Sequence, residues 1–389
     1  MAREAGPDRP PFTLGVEEEY LLIDPDTRDL VRDPPPDLIA DCGAGPAGQV
    51  MPEFLQAQIE IGTTVCKTVA EVRADLAALR RTVVTAAAQH GLRVIAASTH
   101  PFASWHQQRH TRRERYDRIN IEYQATARRL LVCGMHVHVG IDDDALRIDL
   151  MNQFSYFLPH LLALSTSSPF WEAEDTGLKS YRITVFDALP RSGLPPTLAS
   201  WHEHQRLIAQ LVGAGAIEDG TKLWWDMRPS ARFPTLEMRV TDVCTRLDDA
   251  VTIAALVQSV THMLWRLRTE NRQFRIYPPV LVAENRWRAM RYGIDEGLID
   301  FGAGVVKPMA VLIDELIAMI STDAEALGCR AEVERARAIV GAGTSAHRQL
   351  AAWRAARAAG ADNREALDSV VDMLIAETTV GIDPPPDHG

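Results

Sequence analysis

The sequence contains no CxxC pair, and its five cysteines (Cys42, Cys66, Cys133, Cys244 and Cys329) are scattered along 389 residues. That scatter argues against a thiolate metal motif or a disulfide scaffold and makes a reducing cytoplasm the expected compartment. No stretch approaches the roughly 18 uncharged apolar residues that a membrane-crossing helix needs, and the opening MAREAGPDRPP lacks the apolar run of a secretory signal. Basic charge is short as well. A formal net charge of −11 argues against a nucleic-acid-binding surface. Also missing are GxxxxGK[ST], a GxGxxG after a strand, and GxSxG. A nucleotide, if one is used, must be held by carboxylate-bound metal and arginines instead.

What remains is an ordinary globular composition, 46% hydrophobic and 24% charged. Segments 1–11 and 381–389, rich in Pro, Gly and charge, read as flexible ends around a single catalytic unit at 12–380. Extended segments are predicted at 12–23, 54–62, 92–97, 130–139, 181–186 and 235–240. A helix is predicted over 68–90, where Val69, Val72, Leu76, Leu79 and Val83 recur at helical spacing, Thr68 and Glu71 form a capping pair, and Gly91 closes the end. Helices then dominate: 249–270, 308–320, 324–340, 345–359 and 363–377. Strands separated by single helices, then a helical tail, predict an α+β fold with a sheet covered by helices.

Acids and histidines gather on the predicted strands. In GVEEEY, alternation puts Glu17 and Glu19 on one face, with Val16, Glu18 and Tyr20 on the other. A wet edge strand would explain such a triplet. Its apolar setting (Phe12, Leu14, Leu21, Leu22, Ile23) favours a cation, because buried acids need a partner. In EFLQAQIE, Gln56, Gln58 and Glu60 share a face, while Glu53 has the wrong parity to join them on one continuous strand. In GMHVHVG, His136 and His138 leave one face together between glycines, a pattern that suits a metal or phosphate site. In TLEMRVTD, Glu237 and Arg239 share a face, either pairing with each other or serving a cation and a phosphoryl oxygen.

Three further segments carry weaker signals. Residues 168–182 read as a surface turn, or as a loop over an anionic substrate that ends at Arg182. A basic run (Trp105, His106, Arg109, His110, Arg112, Arg113, Arg115, Arg118) reads as a solvated helix face, or as a triphosphate contact or mobile cover. In ENRWRAMRYG, three arginines surround Trp287; they read as helix surface, with Arg286 as the candidate contact to a nucleotide.

Taken in order, GVEEEY, EFLQAQIE, GMHVHVG, SPFWEAEDTGLKSYR, TLEMRVTD and ENRWRAMRYG resemble the bacterial carboxylate–amine ligases, the type-two glutamate–cysteine ligases related to glutamine synthetase. The resemblance runs from about Phe12 to Ile375. It implies a glutamine synthetase-like fold, with a curved, mainly antiparallel sheet that binds ATP and two or three Mg²⁺ or Mn²⁺ ions. It places one ion with Glu19, Glu53 and Glu60, and another with Glu17, His136 and Glu237. By the same resemblance His138 and Arg239 lie near the phosphates, and Arg182 at the substrate carboxylate or the transferred phosphate. The implied reaction joins a small-molecule carboxylate, glutamate, to an amine, with cysteine as one acceptor, in a cytoplasmic homodimer without nucleic-acid or membrane partners. An acyl phosphate would need shelter from water, so an enclosing segment is expected. Three other readings stay open: a guanidino-type phosphotransferase, a zinc hydrolase using His136, His138 and a glutamate, and a non-catalytic nucleotide-binding regulator.

Overall fold

The computed structural model describes residues 9–43 and 49–382. The ends expected to be flexible, 1–11 and 381–389, fall for the most part outside these residues. The described parts are anchored: Pro10 is buried, and Ile382 packs into the core and accepts a hydrogen bond from Arg81.

Seven strands form one antiparallel sheet: β1 (Leu14–Ile23), β2 (Val50–Pro52), β3 (Gln58–Gly62), β4 (Arg93–Ile95), β5 (Met135–Gly140), β6 (Met227–Pro229) and β7 (Thr235–Met238). The order is β6-β7-β5-β1-β3-β2, and β4 pairs with the far end of β1. The register brings Glu17 opposite His136, Glu19 opposite Glu60, and His138 opposite Glu237. Directly opposed residues share a sheet face. One face therefore collects the acids and histidines from four strands.

The other face builds the core. Leu14, Val16, Tyr20, Met135, Val137 and Val139 are buried there. Helices Val69–Gln89 and Leu247–Thr269 pack together, and both lie against β1. Leu247–Thr269 is buried along almost all of its first five turns, as an all-round apolar helix must be. The buried hydrophobic residues join into a single cluster that runs from Phe12 to Ile382. The first predicted helix forms at Val69–Gln89; Thr68 Oγ1 accepts from the Glu71 N–H at 3.2 Å, and Gly91 follows at φ +74°.

Several predicted elements change. The segment Tyr181–Phe186 is a helix, not a strand. Its β-branched alternation is overridden by tertiary anchors: the Tyr181 and Arg182 N–H groups donate to Ser168, and Ser180 donates to Asp242. The strand expected at 54–62 begins only at Gln58, and that expected at 130–139 only at Met135. The predicted helix 324–340 is broken at Gly328, φ +70°, into the end of Met309–Ala326 and two short helices, Arg330–Glu334 and Ala336–Ala342. Helices Glu114–Arg128, Asp144–Phe154, Leu158–Ser165 and Trp201–Gly213 were not assigned from the sequence.

The middle glutamate of the EEE triplet serves the core side. Glu18 is fully buried and takes both Arg80 Nε (2.9 Å) and Nη2 (2.6 Å). Arg80 also donates to the carbonyls of Thr245 (2.7 Å) and Cys244 (2.8 Å), just before helix Leu247–Thr269. Removing one partner of a buried pair leaves an uncompensated charge and costs about 3–5 kcal/mol, whereas removing both costs far less. Urea denaturation of Arg80→Ala should show a loss of that order. The double substitution Glu18→Leu with Arg80→Met should recover most of it.

Candidate active site on the acid face

β1 supplies the centre. Glu17 accepts from His136 Nδ1 at 2.9 Å and lies 3.4 Å from His138 Nε2. Burial pushes the Glu17 carboxyl up, but its two histidines outweigh this and hold it well below the usual carboxylate range. The histidines diverge. Burial, helped by Arg239, pushes His136 down to about 4, so it is neutral at pH 7. Burial acts on His138 in the same direction, yet Glu17 and Glu237 overcome it and raise its value. His138 Nδ1 is 2.9 Å from the hydroxyl of Thr235 on β7.

Glu19 has no such counter-charge beside it. Its carboxylate accepts the Gly134 N–H at 2.7 Å, but burial and the Glu53 charge push it up to about 8, against the pull of Arg182. Glu60 is raised well above the normal range by burial and by the charges of Glu53, Glu17 and Glu19.

Glu53 reaches this group because the chain folds differently from the continuous strand expected at 54–62. β2 and β3 are a hairpin with Met51 opposite Glu60, and the Glu53 N–H donates to Gln58 O at 3.4 Å. Glu53 thus belongs to the partner strand, two residues beyond Met51, where its parity brings it to the acid face. Glu19, Glu53 and Glu60 form a half-buried acid trio whose mutual repulsion calls for a cation.

A second group lies next to it. Glu17, His138 and Glu237 each offer a ligand atom within 4.8 Å of the others. Among the described residues this is the one such triad, and its histidine is His138, whereas the resemblance put His136 there. His136 Nδ1 is instead taken up by Glu17 and lies 3.4 Å from Arg239 Nη1. Oxygen-rich donors with one imidazole suit Mg²⁺ or Mn²⁺.

Arginines frame the acids. Arg239 donates to Glu237. Arg228 grips the same carboxylate with two bonds, Nε at 2.9 Å and Nη2 at 3.1 Å, and is anchored in turn on the Thr221 and Leu223 carbonyls. Buried Arg182 donates from Nη1 and Nη2 to the Val240 and Arg239 carbonyls, both at 3.3 Å. Arg182 Nε and Arg239 Nε are buried N–H groups without an acceptor, as expected beside an anionic ligand. Gly134 makes room for this packing: a Cβ there would lie 2.3 Å from Arg182 Nη2. Asp242 fixes the loop that delivers Arg182, accepting from Ser167 N, Ser168 Oγ and Ser180 Oγ at 2.7–2.8 Å.

Arg286 is not on this face as a free cation. Asp226 and Asp187 bind its guanidinium through four bonds of 2.6–3.0 Å. Its charge is committed to tying helix Pro279–Tyr292 to the chain before β6.

The arginines of the basic run are exposed, as a solvated helix face would have them. Tyr116, on helix Glu114–Arg128, donates to Glu53 Oε2 at 3.0 Å, so the helix stands over the acid face at the β2 end. Seven residues on, the Tyr123 hydroxyl accepts from Arg191 at 2.8 Å and its ring meets Trp224 edge-on, at the β6 end. Helix Glu114–Arg128 thus bears on both ends of the acid face. Arg228, Tyr116, Thr235, Asp242 and the Asp187–Asp226 pair escaped the sequence reading because each gains meaning only from a partner far along the chain.

The comparisons agree with this architecture. The family described as glutamate-cysteine ligase family 2 matches residues 13–373. A protein of Rhodospirillum rubrum named "Putative glutamate–cysteine ligase 2" is 58% identical over 373 residues, covering 95% of this chain and 96% of its own. One of the same name from Ruegeria pomeroyi is 56% identical over 366 residues, 94% of each chain. Among solved structures, a glutamate–cysteine ligase from Francisella tularensis in complex with AMP superposes with a TM-score of 0.67 at 11% identity, over 95% of this chain and 89% of that one. A bifunctional glutathione synthetase from Pasteurella multocida gives 0.66 at 14% identity; the match covers 94% of this chain but 52% of that longer protein. The fold is thus the glutamine synthetase-like fold of ATP-dependent carbon–nitrogen ligases. The chain belongs to glutamate–cysteine ligase family 2.

Metal binding should carry the signature of Glu19. Below about pH 8 its carboxyl holds a proton that a bound cation must displace. Calorimetric titration with Mg²⁺ between pH 6 and 9 should therefore show affinity falling as pH drops, by up to about tenfold per unit for each proton released.

Proposed function

We propose that the protein joins a carboxylate substrate, glutamate, to an amine through an acyl phosphate, with ATP as phosphoryl donor and cysteine as one candidate acceptor. The observation that carries this reading is the convergence on one inner sheet face of a repelling acid trio and a second group that can hold a metal. Residues 12–380 act as one catalytic unit.

In this reading Glu19, Glu53 and Glu60 hold one divalent ion, while Glu17, His138 and Glu237 hold another. Ions held there would offset the negative charge that develops during phosphoryl transfer. Neutral His136 orients Glu17 through its 2.9 Å contact and adds no charge of its own. Arg228 and Arg239 keep the Glu237 carboxylate ionised and aimed. The unsatisfied N–H groups of Arg182 and Arg239 suit an attacking carboxylate or the phosphoryl oxygens. The helix Glu114–Arg128 keeps water from the acyl phosphate until the amine attacks the carbonyl and phosphate leaves.

The test is an ADP-release screen over carboxylate and amine pairs with Mg²⁺, repeated with hydroxylamine to trap the activated acyl group as a hydroxamate. Wild type should give ADP and, with glutamate, a hydroxamate. Glu17→Gln should stay folded by circular dichroism and lose turnover by at least about a hundredfold. Normal turnover in that variant, or ADP release with no hydroxamate from any carboxylate, would refute the reading.

A further inference from the structure

Beside the acid face, and not part of it, lies a cavity of about 650 Å³, within the size range of small-molecule pockets. Its walls come from the chain just after Glu53 (Phe54, Leu55, Gln56), from segment 108–112, and from helix Glu114–Arg128. Its charged lining divides into satisfied and unsatisfied groups. Arg109 pairs with Asp33 at 2.5 Å, and His110 with Asp117 at 2.9 Å. Arg112 and Arg128 also line it, and among the described residues neither makes an ion pair or side-chain hydrogen bond. Two exposed guanidinium groups without an ion-pair partner at one cavity of a net-acidic protein suit an anion with two or more acceptor oxygens.

The cavity is mechanically joined to the acid trio. Tyr116, on the cover helix, packs edge-on against Phe54 at 5.7 Å and donates to Glu53 Oε2. Thr111, next to Arg112, donates from its hydroxyl to Glu53 O at 2.6 Å, and its N–H donates to Phe54 O at 2.8 Å. Segment 108–112 and helix Glu114–Arg128, which carry Arg112 and Arg128, thus both bear on Glu53, through Thr111 and Tyr116.

We propose that this cavity is a binding site for a small carboxylate or phosphate anion held by Arg112 and Arg128, and that its occupancy sets, through Tyr116, how firmly Glu53 is positioned for a cation. The site regulates the acid face from outside. The binding half stands by itself; the coupling half rests on the reading of Glu53 as a cation ligand.

The experiment begins without metal or nucleotide, so it does not depend on ligase activity. Inorganic phosphate and succinate are titrated separately by calorimetry into the full chain and into Arg112→Gln, Arg128→Gln and the double variant, with thermal midpoints confirming that each is folded. The expected result is saturable binding of at least one anion, weakened severalfold in each single variant and at least about tenfold in the double. Preference for phosphate over succinate, or the reverse, tells which source of the shared chemistry fits. No saturable binding of either anion, or binding that survives the double substitution, overturns the site. The second step measures Mg²⁺ affinity at fixed free Mg²⁺ concentrations with and without the anion. It should tighten by about fivefold or more in wild type and stay unchanged in Tyr116→Phe, which still binds the anion. Equal tightening in Tyr116→Phe, or none in wild type, overturns the coupling.

Discussion

The buried pair between Glu18 and Arg80 sets the frame for everything on the far side of the sheet. It joins the central strand to helix Val69–Gln89, and through the Thr245 and Cys244 carbonyls to the start of the longest core helix. Because strand residues alternate, anchoring Glu18 inward commits Glu17 and Glu19 to the opposite face. Once β1 is fixed, antiparallel registry brings His136, Glu60 and then Glu237 to that same face.

The acid face is held in a state that the protein does not neutralise by itself. Glu237 and Glu17 are matched by arginines and histidines, but burial and the neighbouring Glu53 charge raise the proton affinity of Glu19 and Glu60. Such an arrangement sacrifices folding stability for affinity toward a hard cation, the common bargain at binding sites. Rigidity on the core side makes it tolerable, since packed aliphatic side chains give the strands little freedom to spread the charges apart.

How much of this was legible in the sequence depends on how local each signal is. Alternation alone assigned Glu17 with Glu19 and His136 with His138, and those faces are as read. Glu53 looked out of phase because the turn after it hides in an apolar segment, FLQA, with neither Gly nor Pro to mark it. Arg286 looked like a free cation because its two aspartates lie 60 and 99 positions away. The stretch YRITVF has a strand's composition, and only the serine and aspartate contacts around it make it helical. Local pattern thus gave the face, and the element type only where no distant contact overrode it. Partnership between distant charges, which decides whether an arginine is available or already committed, was beyond its reach.

The two tyrosines of the cover helix make that helix a ruler. Tyr116 and Tyr123 face opposite rims of the sheet across two helical turns. One residue inserted between them would swing the second ring by roughly 100° about the axis and detach one rim. A surface segment with hardly a buried side chain, ordinarily the part of a protein most forgiving of length change, here has its residue count tied to two contacts at once.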